Sequence, residues 1–117
     1  MNDLLISKAK RLDTGEWVEG YIIECDRSDS GYCIWRKIEN EYHMTDINIE
    51  SICRCTGLHD SMGKLIFEYD LVHIADWSVS SKVYWNCGCW MLYFEDSDEY
   101  LNENCHVCEI IGNALEG

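Results

Sequence analysis

The sequence predicts a mainly β fold with a minor helical share, a small barrel or sandwich of short antiparallel strands. Three observations carry that expectation. Short clusters of aromatic and β-branched residues recur along the chain, separated by turns rich in Gly, Asp, Asn and Ser. Trp and Tyr, five and seven of them, far outnumber the two Phe, and both suit sheet surfaces where one end of the ring stays polar. Hydrophobic residues make up 47% of 117 residues, enough for a core, and the length fits one domain.

In chain order, EWVEGYIIEC (residues 16–25) reads as a strand, DRSDSG (26–31) as a turn and YCIWRKI (32–38) as the returning strand of a hairpin. TDINIES (45–51) reads as one helical turn with Thr45 or Asp46 as N-cap, and ICRC (52–55) as a short strand. Asp60-Ser61-Met62-Gly63 suits a type I turn, with Gly63 in the left-handed position, and KLIF pairs back after it. EYD bends, and LVHIA (71–75) begins a longer strand. SKVYW (81–85) and WMLYF (90–94) flank NCGC, a hairpin with Gly88 at its tip. EDSDEY (95–100) is an exposed acidic loop, and HVCEII (106–111) is the closing strand. The expected organisation is a single domain over 1–117, with an N-terminal hairpin part over about 1–55 and a barrel-like part over about 56–117.

Net charge is −13, unevenly spread. Residues 1–55 carry seven Lys/Arg against eleven Asp/Glu, whereas 56–117 carry only Lys64 and Lys82 against eleven. A surface of this kind repels phosphate, so direct nucleic-acid binding is not expected, and it attracts a basic protein surface. No apolar run approaches the roughly 20 residues of a membrane span, and the N-terminus has no signal-peptide core, so a cytoplasmic location is expected. The eight Cys are then reduced thiols rather than a disulfide framework.

Three stretches, AKRLDTGEWVEGYII (9–23), TGLHDSMGKLIFEYDLV (56–72) and EIIGN (109–113), resemble the opening, central and closing segments of the YopX-like proteins of bacteriophages and prophages. The central one is similar to that family's T-G-L-x-D-x-x-G-x-x-I-[YF]-x-x-D-x-V block. The resemblance implies a phage or prophage origin and a β-rich fold with a Src-homology-like barrel portion. It supplies no catalytic residues. Tyr69 stands where the family usually has Gly, and since a bulky residue tolerates positive φ poorly, the bend is expected to differ here. Gly57, Asp60, Gly63 and Asp70 of the central block are read as turn-shaping residues.

Cys87 and Cys89 on the hairpin tip, with Cys105 and Cys108, form the strongest metal-ligand candidate, since four thiolates on two turns can enclose tetrahedral zinc. The stronger reading is that these are small buried hydrophobes, so no cofactor is expected. Cys53 and Cys55 form a weaker pair. The four His are scattered without a triad, and there is no P-loop, dinucleotide fingerprint or H-E-x-x-H. An enzyme is therefore not expected. Glu95, Asp96, Asp98, Glu99 and Glu103 can space carboxylates like phosphates and occupy a nucleic-acid-binding groove on another protein, with Tyr100, Trp90 and Trp77 as aromatic anchors. A calcium loop lacks its central Gly here, and a merely solvated loop remains the rival.

The favoured function is thus an inhibitor or adaptor acting on a host or bacterial-immunity protein, for example a CRISPR nuclease. Its partner has a basic surface, and neither nucleic acid nor membrane is contacted directly. Homo-oligomerisation stays open. The alternatives are a module that sequesters a nucleotide signal through cations such as Arg27, Arg36, Lys37, Arg54 and Lys64, or a zinc-stabilised structural protein.

Overall fold

The computed structural model describes residues 6–74, 80–94 and 97–116. The chain divides into two compact units, Met1–Arg54 and Cys55–Gly117.

The first unit holds β1 (Ser7–Lys10), β2 (Trp17–Glu24), β3 (Tyr32–Ile38), β4 (Glu41–Asp46), a 3-10 turn at Ile49–Ser51 and the start of β5 (Cys53–His59). All neighbours are antiparallel, in the order β4-β3-β2-β1-β5. The β2–β3 hairpin forms as its alternating pattern predicts, with Tyr21 opposite Trp35 and Ile23 opposite Cys33. Ala9, Val18, Ile34 and Ile47 make its core, with Ile22, Tyr32 and Ile52 packed against them. Gly20 lets β2 and β3 approach closely, because a Cβ there would lie 2.6 Å from the Trp35 carbonyl oxygen.

Two strands of this unit escape the sequence reading. β1 lies in a polar, Lys-rich segment, and β4 in EYHMTD, where four of six residues are exposed. The β3–β4 link is a two-residue turn with Glu39 and Asn40 at φ 50° and 69°, the pair of positive values a tight hairpin turn requires. The helical turn expected over 45–51 is corrected. Thr45 and Asp46 stay in the ladder, opposite Ile34 and Cys33, and the N-cap is Asn48, which accepts from the Glu50 amide at 3.0 Å. Asp46 is held elsewhere, accepting hydrogen bonds from the Ser28 and Ser30 hydroxyls and the Asp29 amide of the β2–β3 loop.

The second unit holds the rest of β5, β6 (Leu65–Phe67), β7 (Asp70–Ile74), β8 (Ser80–Asn86), β9 (Cys89–Leu92), β10 (Glu99–Tyr100), α1 (Leu101–Asn104), a 3-10 turn at Cys105–Val107 and β11 (Cys108–Asn113). Five strands form an antiparallel sheet ordered β10-β9-β8-β7-β11, and among the described residues it does not close on itself. β5 pairs with β6, and Ile66 joins Val72, Ile74, Val83, Leu92, Leu101 and Cys108 in one core, with Leu58 packed against it. The mainly antiparallel fold of short strands is therefore as expected. The β8–β9 hairpin turns on Cys87 and Gly88, at φ 51° and 81°.

Two further expectations are corrected. The closing strand begins at Cys108, not at His106, because residues 101–107 are helical: buried Leu101 pins α1 to the core, and Asn104 donates to the Tyr100 carbonyl at 2.8 Å. The bend at Tyr69 keeps the left-handed conformation, at φ 68°, despite the bulky residue. Its amide donates to the Val83 carbonyl and its carbonyl accepts from the Ala114 amide, both at 2.8 Å, so neighbouring strands hold a backbone that Tyr disfavours.

Among the described residues no helix is long and apolar enough to cross a membrane.

Candidate functional site

The central sequence block builds structure. The Gly63 amide donates to the Asp60 carbonyl at 3.1 Å, closing the turn, with Gly63 at φ 81°. One carboxylate oxygen of Asp60 accepts from the Met62 and Lys64 amides at 2.9 and 2.8 Å, and the other accepts from the Ile110 amide of β11 at 3.0 Å. Burial pushes this carboxyl upward, but the donors from Ile110, Lys64 and Met62 outweigh it and hold it below the ordinary carboxylate range. Asp70 is 1% exposed; it accepts from the Phe67 amide at 2.7 Å and from the Asn113 side-chain amide at 3.0 Å. Gly57 sits at φ 78° within β5. These four residues fix turns and join β5, β7 and β11. His59 is exposed beside buried Asp60, so the two side chains do not act together.

Of the acidic residues singled out in the sequence, Glu95 and Asp96 lie outside the described residues, as does Trp77. Asp98 is exposed and anchored: it accepts from the Tyr84 hydroxyl and, at 3.3 Å, from the Phe94 amide. The Asp98 hydrogen bond, with burial and the Asp98 charge behind it, pushes the Tyr84 phenol up to about 12. Glu99 is half-buried opposite Leu92, whereas Tyr100, opposite Met91, is 48% exposed. Glu103 is exposed on α1. β10 is the end strand of its sheet, and Asp98 just before it, Tyr100 on it and Glu103 on α1 are each exposed. Trp90 is half-buried, packed against the core and edge-on to Trp85 at 4.9 Å.

The four thiols proposed for zinc are not brought together. Cys87 and Cys89 are exposed at the hairpin tip, Cys105 is half-buried and Cys108 lies in the core, donating to the Asn104 carbonyl at 3.2 Å. Among the described residues no group of three or more His, Cys, Asp or Glu is placed to hold a metal ion. Cys53 and Cys55 are buried small side chains.

The first unit holds a cleft of about 490 Å³ that the sequence does not reveal, because its lining comes from three separate segments. Leu12 and Met44 supply apolar wall, and Asp13, Asp29 and Asp46 supply carboxylates. Its one arginine, Arg11, is already paired with Asp13 through bonds of 3.0 and 3.1 Å. The cleft suits a cationic group rather than an anion.

Fold and site together define a small, acidic, antiparallel-β protein in which Asp60 and Asp70 are tied into turns and three further carboxylates line a cleft. A family model described as YopX protein matches residues 8–117, nearly the whole chain, and the chain belongs to the YopX family. No curated protein matches the sequence.

Proposed function

We propose that this is a phage- or prophage-encoded binding protein that inhibits or redirects a host or bacterial-immunity protein in the bacterial cytoplasm, without chemistry of its own. An inhibitor of the anti-CRISPR type, seated on a nucleic-acid-binding surface, is the example the charge favours. The observation that carries this reading is the acidic edge of the second unit. That unit has eleven Asp/Glu against Lys64 and Lys82, and in the sequence exposed Tyr100 lies between exposed Asp98 and Glu103. Fixed carboxylates steer a basic partner and select it by charge, while an exposed aromatic supplies an anchor. The nucleotide-sequestering alternative gains nothing from the cleft, whose carboxylates oppose an anionic ligand.

The test is capture of partners on tagged protein from bacterial lysate, washed at low and high salt, followed by affinity measurement with the purified partner. A basic protein released at high salt, and no longer bound when Glu95, Asp96, Asp98, Glu99 and Glu103 are reversed to Lys, is the expected result. Unchanged affinity in that variant would exclude the acidic edge.

A further inference from the structure

The two faces of the first unit's sheet differ sharply. Ala9, Val18, Ile22 and Ile34 point to the core. The opposite face can be followed strand by strand through the register. Lys8 and Lys10 lie opposite Glu19 and Trp17, Tyr21 lies opposite Trp35, Trp35 opposite Met44, and Lys37 opposite Tyr42. Residues directly opposite share a face, as do residues two apart on one strand. Four aromatic rings and three lysines therefore occupy the face turned away from the core.

Their side chains form two groups on that face, Lys8 and Lys10 with Trp17, and Tyr21, Trp35 and Tyr42 with Lys37. Tyr21 and Trp35 have ring centroids 6.0 Å apart, and Trp35 stacks on Tyr42 at 5.0 Å with 12° between planes. Lys8 and Lys10 lie over Trp17 at 4.7 and 5.4 Å, and Lys37 over Tyr42 at 5.5 Å. The second group is open at β4, where Tyr42 is 61% and Met44 56% exposed. A hollow of about 220 Å³ adjoins it, lined by Tyr21, Glu19, Lys37 and Arg36 among others. Arg36 also lines the hollow but belongs by register to the Ile34 face, where its Nε is buried without a hydrogen-bond partner.

We infer that this face binds single-stranded nucleic acid, its aromatic rings stacking on bases and its lysines contacting phosphates. Rings interleaved with cations on an open sheet are the arrangement such binding requires, because every base has a π-face and every link a negative charge. A duplex hides its base faces, and an acidic peptide has no use for a ladder of rings. The net charge of −13 opposes nucleic acid over the surface as a whole. At physiological ionic strength, however, exposed charges farther than about 8 Å are screened; Lys8, Lys10 and Lys37 stand against Glu19 and Asp46 on this face, and the acidic cleft with Asp13 and Asp29 begins at its Met44–Asp46 end, away from Lys37. Asp46 is already engaged by the Ser28 and Ser30 hydroxyls at the end of the face.

The experiment is fluorescence anisotropy of the full chain with a labelled oligothymidylate of about 12 nucleotides, within the usual range of single-strand sites. Saturable binding that weakens with salt is expected. Tyr42→Ala should weaken it at least about five-fold, as loss of one stacking ring does, and Lys37→Glu should reduce both the affinity and the salt slope. Both side chains are exposed, and circular dichroism checks that the variants stay folded. Three results would each overturn the inference: no binding at any salt, equal binding by wild type and Tyr42→Ala, or equal displacement of the oligonucleotide by polyglutamate or by duplex of the same length. The assay contains no partner protein, so it leaves the acidic edge unjudged.

Discussion

Asp60 reaches across fifty residues of sequence to accept the Ile110 amide at 3.0 Å, while its other oxygen holds the turn that Asp60 itself opens. One buried carboxylate thus closes the β5–β6 connection and fastens β11 to it. The Ser61 amide strengthens the same junction by donating to the Cys108 carbonyl at 2.7 Å.

Replacing Asp60 by Ala strands three backbone donors, two in the turn and one on β11. A loss of about 3 kcal/mol is expected, since buried unsatisfied groups cost roughly 1–3 kcal/mol each and relaxation recovers part. The effect also depends on pH. The folded carboxyl titrates below its unfolded value of about 3.9, so its contribution is complete above that pH and is lost as pH falls through the folded value. Melting curves from neutral to acid pH should show wild type losing stability faster than Asp60→Ala below about pH 4. Parallel curves would show that the carboxylate is not what fastens β11.

Two glycines should respond to Ala for different reasons. Gly63 has nothing within 4 Å of its added Cβ, but its φ of 81° lies in the left-handed region. Gly63→Ala should therefore cost about 1 kcal/mol, a purely backbone penalty. At Gly20 the added Cβ meets the Trp35 carbonyl oxygen at 2.6 Å and the Ile34 Cγ2 at 2.7 Å. Part of that clash is with backbone, which cannot swing aside, so Gly20→Ala should cost more, roughly 2–3 kcal/mol. Chemical denaturation of the two variants ranks them, and the reverse order would contradict the close β2–β3 approach.

What could be read in the sequence follows from the range of each interaction. The β2–β3 hairpin and the Asp60 turn were legible because their signals are local: period-two alternation, a Ser/Asp/Gly turn, Asp first and Gly last. β4 was not, because its polar residues carry no strand signal and Glu39-Asn40 does not advertise a tight turn as Asn-Gly would. α1 was missed because four residues give no helical period, and burial of Leu101 decides it. Asp60 was legible as a turn residue, but its bond to Ile110 is tertiary. The same holds for the lysine and aromatic face, whose residue types are plain in the sequence but which exists only through the register of four strands.

The Tyr84 hydroxyl's bond to Asp98 should be visible by spectrophotometric titration. Of the seven tyrosines, one should ionise near pH 12 in the folded protein. In Asp98→Asn that transition should move back toward the ordinary value of about 10, because the negative acceptor that holds the proton is gone. The sign for stability is opposite to that of Asp60. A raised folded value means the link is fully present below about pH 10 and is lost as pH rises through about 12. An unchanged titration in the variant would detach Asp98 from β8, and with it the fixed placement on which the proposed partner selection relies.

Cysteine reactivity tests the remaining disposition. Cys87 and Cys89 are exposed, whereas Cys108 is fully buried and its thiol is pushed up to about 11, first by burial and then by the nearby Cys105 and Asp60 charges. Only the thiolate attacks a disulfide reagent, so access and ionisation act in the same direction. A brief pulse of such a reagent on folded protein, mapped by mass spectrometry, should label Cys87 and Cys89 first. Cys33, Cys53, Cys55 and Cys108 should react only after denaturant is added. A chelator should leave the melting temperature unchanged, and so should the pair Cys87→Ser and Cys89→Ser. If chelation instead lowers that temperature and exposes Cys108 to the reagent, the four thiols gather around a metal in solution. The hairpin tip would then have to fold toward α1, a geometry different from the exposed turn at Cys87 and Gly88.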